Sequence, residues 1–104
     1  MRPDKNQIVS ILREEKERLQ REGIDAIALF GSFARGEATA YSDVDVAIRK
    51  SPDFLQRYDA YRYFDLIADL ERRLRQRLHR PVDIFDLDSD SSMREEIKRE
   101  LIYA

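Results

Sequence analysis

Residues 25–48, DAIALFGSFARGEATAYSDVDVAI, pass from an apolar run through a glycine-bearing turn into strict alternation. That passage sets the fold class. DAIALF at 25–30 is short, apolar and stopped by Gly31, which predicts a buried strand. GSFARGEATAYS at 31–42 holds two of the chain's three glycines and predicts a turn, with a helical turn opening near Ser32. DVDVAI at 43–48 alternates carboxylate with apolar residue, the period of a strand with two distinct faces. Upstream, Ile8, Ile11, Leu12, Glu15 and Leu19 follow helical spacing from Asn6 to about Arg21, and only the glutamate breaks the apolar stripe. Gly23 stands where a helix-ending glycine belongs. Downstream, Ser51-Pro52 punctuates. A long helix is then predicted from about Phe54 to Arg80, with Tyr58, Tyr61, Ile67, Leu70, Leu74 and Leu78 near one stripe and Pro81 as its stop. VDIFDL at 82–87 is the third strand candidate. Ser92 and Glu95 form a capping-box pattern opening a last helix through Met93, Ile97 and Leu101. The order α-β-turn-β-α-β-α predicts an α/β (α+β) protein: one domain over 1–104, a small mixed sheet with helices packed on it.

Composition narrows the chemistry. The chain has 104 residues, 42% hydrophobic and 38% charged, so the apolar content is too high for a disordered chain. Nineteen basic residues against 21 acidic ones give a formal charge of −2, which argues against nucleic-acid or membrane attachment by bulk charge. With no Cys, disulfides, thiolate zinc sites and a cysteine nucleophile are excluded; a single His excludes multi-His metal sites. The N-terminal MRPDKNQ has no apolar segment, and the run from Ala26 to Phe30 is far too short to span a bilayer. A soluble, cytoplasmic protein is the expectation.

Two motifs fail on inspection. Gly31 to Gly36 spells G-x-x-x-x-G, but Glu37-Ala38 follows where a P-loop needs Lys and Ser/Thr. Asp86, Asp88 and Asp90 open like an EF-hand loop, yet Ser91 takes the glycine position and Ile97 replaces the bidentate glutamate. What survives is Gly31-Ser32, Asp43-x-Asp45 and Asp83. Side chains two apart on a strand share a face, so Asp43 and Asp45 present two carboxylates side by side. Such a pair needs a shared cation, a proton or solvent; Mg²⁺, a hard ion with oxygen ligands, suits it, and a solvated face of an edge strand is the plain alternative. A glycine directly after the first strand lets backbone N–H groups approach an anion closely, and the Ser32 hydroxyl adds a donor; an ordinary strand-ending turn is the alternative there.

Taken together, GSFARGEATAYSDVDVAI is similar to the nucleotidyltransferase pattern G-S-x-A-R-G-(x)n-S-D-x-D-apolar of the DNA polymerase β-like superfamily. More narrowly, the chain resembles the minimal nucleotidyltransferases, small antitoxins encoded beside HEPN-domain ribonuclease toxins. The resemblance covers nearly the whole chain and implies the nucleotidyltransferase fold. It also implies transfer of a nucleotide, AMP from ATP, with two Mg²⁺ ions, to a tyrosine hydroxyl of a HEPN partner. Carried over by position, it implies that Gly31, Ser32, Arg35 and Ser42 bind the nucleotide, and that Asp43, Asp45 and Asp83 are the catalytic, metal-holding carboxylates. Asp86 and Asp88 rival Asp83 but face the other way on a strand. Arg35 has two further readings, as a partner contact or a helix-surface arginine. The block Arg72, Arg73, Arg75, Arg77, His79, Arg80 is either a solvated helix face or a partner or RNA surface, and His79 neighbours no nucleophile motif. Tyr58, Tyr61, Tyr63 and Phe64 suit core and rim packing better than base stacking. The chain departs from the pattern at Glu100-Leu101, where a glycine turn is common, so the last helix is expected to run on. A non-catalytic antitoxin and a transferase acting on a small hydroxylated compound are the rival functions.

Overall fold

The computed structural model describes residues 3–89 and 93–104. Helix α1 (Lys5–Arg21) starts at a reciprocal cap: the Gln7 N–H donates to the Asp4 carboxylate at 2.8 Å, and the Asp4 N–H donates to the Gln7 side chain at 2.8 Å. It ends at Glu22, and Gly23 follows with φ 93°. Strand β1 (Ile24–Phe30) is buried from Ala26 to Leu29, as its continuous apolar run predicts. Short α2 (Ser32–Arg35) and an irregular loop lead to β2 (Val44–Lys50). Next come α3 (Phe54–Arg57), α4 (Ala60–Leu78), β3 (Val82–Asp86), α5 (Arg94–Lys98) and β4 (Ile102–Tyr103).

The sheet order is β3-β2-β1-β4, with β1 antiparallel to β2 and β4, and β2 parallel to β3. This is the expected mixed α/β architecture. One sheet face, carrying Ile27, Leu29, Val44, Val46, Ile48 and Val82, packs on Ile8, Leu12 and Leu19 of α1 and on Leu66, Leu70, Leu74 and Leu78 of α4. Each of these leucines and isoleucines contributes about 1.5–3 kcal/mol on full burial. The opposite face carries a smaller cluster in which Ala47, Leu87 and Ile97 meet Phe30, Phe85 and Leu101.

Four expectations change. The long helix is two helices: Tyr58 is extended and Asp59 restarts the helix by accepting a hydrogen bond from the Arg62 N–H at 2.8 Å. Tyr61 does not join the buried stripe, which is Leu66, Leu70, Leu74 and Leu78 at a strict four-residue spacing. Tyr58 and Tyr63 pack on Phe54 with centroids 5.0 and 5.7 Å apart, whereas Tyr61 and Phe64 are exposed. The last helix does not run on. It stops at Lys98, and Ile102–Tyr103 becomes a strand that pairs with Ala28 and Leu29. Ser92 lies outside the described residues; Met93 occupies the position before α5.

Glu15, the one polar residue in the α1 stripe, has a structural reason. Nearly buried, it accepts from Arg73 of α4 at 3.1 Å. Arg77 reaches Glu14, Arg72 reaches Asp69, and Arg75 reaches Glu71 at 2.9 Å. Arg72, Arg73, Arg75 and Arg77 are thus spent on ion pairs within and between α1 and α4, which favours the helix-face reading over an RNA surface. His79 closes α4 in the left-handed conformation, φ 56°. Among the described residues no helix is long and apolar enough to cross a membrane.

Candidate active site

The site is built where three strand ends meet. Register aligns Phe30 of β1 with Asp45 of β2 and Asp45 with Asp83 of β3, so the two carboxylates stand on neighbouring strands in one row. Adjacent strands lie about 5 Å apart, which brings these side chains into mutual electrostatic reach. Asp43 precedes β2 by one residue, because the strand begins one position later than the alternating pattern predicts, and is exposed. Asp45 is half-buried, and its pKa is raised: burial is the main cause, followed by the charges of Asp83 and Asp43. Asp43 and Asp83 therefore both bear on Asp45. Asp86 does not join them. It turns to the other sheet face, as its alternation requires, and pairs with Lys50.

Gly31 is the residue that makes room. Its backbone sits at φ 80°, a conformation side chains disfavour, and a Cβ built on it would lie 2.1 Å from Asp45 Oδ2 and 2.9 Å from Asp45 Cγ. The glycine is in direct contact with the carboxylate, so its conformational freedom and the placement of Asp45 are one requirement. Ser32 opens α2 beside it, and among the described residues no hydrogen bond engages its hydroxyl.

Arg35 ends α2 at the rim. Its Nη1 donates to Glu100 at 2.8 Å and its Nε to Glu37 at 3.1 Å, and the Glu100 and then the Glu37 hydrogen bonds raise its pKa above the ordinary arginine value. Glu100 is the residue sequence reasoning missed. It lies 65 positions away and no local motif marks it. Ser42 is brought near the site through its backbone position, but its hydroxyl serves the loop: Oγ accepts from the Thr39 N–H at 2.8 Å, and the Ser42 N–H donates back to Thr39 O at 3.1 Å. Arg80 braces this loop from beneath, donating to Ser42 O at 3.0 Å with its guanidinium 5.1 Å from the Phe33 ring centroid.

The donor set is all hard carboxylate oxygen, which fits Mg²⁺. Among the described residues, no three Asp, Glu, His or Cys side chains converge into a cage that would hold an ion unaided.

Comparison with known proteins gives this geometry a context. The sequence pattern of the family described as polymerase beta nucleotidyltransferase matches residues 6–104. A chain of Methanocaldococcus jannaschii, provisionally named protein adenylyltransferase MJ0126, is 34% identical over 101 residues, covering 94% of this chain and 95% of that one. The solved structure of a minimal nucleotidyltransferase superposes with TM-score 0.62 at 28% identity, over 90% of this chain and 93% of that one. A toxin–antitoxin structure with AMP-PNP superposes with TM-score 0.61 at 24% identity, over 97% of this chain and 72% of that one, a likeness of fold.

Proposed function

The chain belongs to the polymerase β nucleotidyltransferase family, and within that family we propose that it moves AMP from ATP, with Mg²⁺, onto a tyrosine hydroxyl of a HEPN-type toxin and so silences it. The observation that carries the reading is the row of Asp45 and Asp83 beside Asp43, with Gly31 pressed against the Asp45 carboxylate. A half-buried carboxylate held among like charges is costly, and such an arrangement is expected where a cation and an anion are to be bound together. The relatives support the transferred group, since they carry the name protein adenylyltransferase. The toxin partner is supported by the toxin–antitoxin fold likeness and by the sequence resemblance.

In this reading Asp43, Asp45 and Asp83 would hold Mg²⁺ together with the triphosphate, and the ion would supply neutralisation of phosphate charge and polarisation at the α-phosphorus. Gly31 and Ser32 receive the triphosphate, the glycine by close backbone approach and the serine through its hydroxyl. Arg35 offers guanidinium N–H donors from the rim. The acceptor oxygen forms a bond to the α-phosphorus as the bond to the β-phosphate oxygen breaks. Pyrophosphate leaves with the electron pair, and the hydroxyl proton passes to Asp83. Ser42 closes the loop that delivers Asp43.

The test is co-incubation of the protein, its partner, ATP and Mg²⁺, with intact mass read for partner adducts of one AMP or multiples. Adducts mapped to tyrosine support the reading. Neutralisation of the partner with no mass change would replace it with inhibition by occlusion, and adducts only on small hydroxylated compounds would move the acceptor class.

A further inference from the structure

We propose that Glu100 is a positioning residue of the nucleotide site: with Glu37 it clamps the Arg35 guanidinium at the rim of the acid row and leaves the remaining N–H donors for the triphosphate. The inference rests on the nucleotide-transfer reading and adds to it a residue from the far end of the chain. A guanidinium has five N–H donors. The bonds to Glu100 at 2.8 Å and Glu37 at 3.1 Å use one on Nη1 and the one on Nε, which leaves three, two of them on Nη2. The two carboxylates approach from separate segments, one just past α2 and one between α5 and β4, so the guanidinium plane is fixed rather than merely neutralised.

The arrangement needs this explanation for two reasons. An exposed arginine has many rotamers, and ordering it on binding would weaken affinity. Here the ordering precedes the ligand. Secondly, an acid beside an anion site is unfavourable by charge alone. A carboxylate in that place is sustained by what it does for Arg35. Its own position is set by the sheet. The Glu100 N–H donates to Ile97 O at 3.1 Å, and β4, starting two residues later, pairs with Ala28 and Leu29 of the strand that runs directly into Gly31.

The experiment measures ATP affinity directly, by calorimetric titration with Mg²⁺ present, alongside turnover at saturating ATP. Glu100→Gln is expected to weaken ATP binding about five- to tenfold while turnover stays near wild type, because ordering of Arg35 is lost before the chemical step. In an Arg35→Gln background the same substitution should have no further effect. A field effect alone predicts the opposite sign, since removing a negative charge would tighten ATP binding. Unchanged or tighter binding by Glu100→Gln, or an equal loss without Arg35, overturns the proposal. Should Glu100→Gln fail to fold, Glu100→Asp decides: the shortened carboxylate keeps the charge but not the reach, so wild-type affinity there overturns it too. ATP binding absent from the wild-type chain overturns the underlying reading, an outcome separable from failure of the clamp alone.

Discussion

Asp45 and Asp86 lie on neighbouring strands at opposite ends of the sheet, both half-buried, and their acidities move in opposite directions. At the Asp86 end burial pushes the carboxyl pKa up, but hydrogen bonds from Lys50, from the Tyr63 hydroxyl at 2.6 Å and from the Asp88 N–H at 2.8 Å outweigh it and leave the pKa lowered. Lys50 also lies 4.8 Å from the Tyr63 ring centroid. At the Asp45 end burial again pushes upward, and the neighbouring Asp83 and Asp43 push the same way. Arg35, already held by two glutamates, opposes them. The same residue type is thus satisfied at one end and left wanting a ligand at the other, three register positions and roughly 10 Å away along the strands. The satisfied carboxylate ties α4 to the sheet. The unsatisfied one marks the candidate site.

The largest expected effect breaks the acid end. Asp43→Asn with Asp45→Asn should reduce AMP transfer by about a thousandfold or more while circular dichroism and partner binding stay as in wild type. Transfer within tenfold of wild type would show that the chemistry lies elsewhere.

Gly31→Ala comes next, with a loss of about a hundredfold in transfer, because the added methyl meets the Asp45 carboxylate and the backbone conformation resists a side chain. The stability cost should be about 1–2 kcal/mol. Introducing the same change in an Asp45→Ala background should cost less, a non-additivity that denaturant melts would detect. Additive costs would mean that Gly31 and Asp45 are placed independently.

The opposite end should respond in stability alone. Tyr63→Phe or Asp86→Asn should cost about 1–2 kcal/mol, read as a lowered Tm, with transfer per folded molecule unchanged. Asp86 has a lowered pKa in the folded chain, so its stabilising contribution is present above the ordinary carboxyl value and is lost as pH falls through the folded one. The Tm gap between wild type and Asp86→Asn should therefore close in acid. A gap that persists there would mean packing, not charge, holds that corner.

The smallest effect has the opposite sign. Asp45 has a raised pKa in the folded chain, so it favours folding while protonated, below its unfolded value, and that advantage is lost as pH rises through the folded value. Asp45→Asn should raise the Tm of the ligand-free protein modestly at neutral pH, with the difference shrinking in acid. A lowered Tm at neutral pH would make Asp45 a structural residue like Asp86.

The central strands and the acid row were legible because the signals are short-ranged: a five-residue apolar run, a glycine, then alternation with a carboxylate at every second place. Asp83 was separable from Asp86 by parity alone. What escaped depends on partners distant in sequence. The break at Tyr58–Asp59 sits inside a continuous amphipathic pattern, and its cause, an aspartate capping a fresh helix, competes locally with helix continuation. β4 has two residues and no pattern of its own; it is a strand because β1 offers an unpaired edge. Glu100 became a site neighbour only through that pairing. The arginine block leaves a solvated helix face and a partner surface both open in the sequence, and its acids on α1, distant along the chain, decide for the helix face.

The brevity of β4 sets a temperature for function. Two register pairs at the sheet edge, with Leu101, Ile102 and Ala104 packed only in part against the two clusters, hold the segment that carries Glu100, whereas α1, α4 and the inner strands supply the fully buried core. Short, partly exposed edge segments open at lower free energy than the whole chain unfolds. Warming should therefore detach this strap first, releasing the guanidinium it steadies. ATP affinity should fall several degrees before far-ultraviolet ellipticity does, and amide exchange at Ala104, whose N–H donates to Ile27 O at 3.0 Å, should accelerate over the same interval. Coincident loss of affinity and ellipticity would instead make β4 part of the cooperative core.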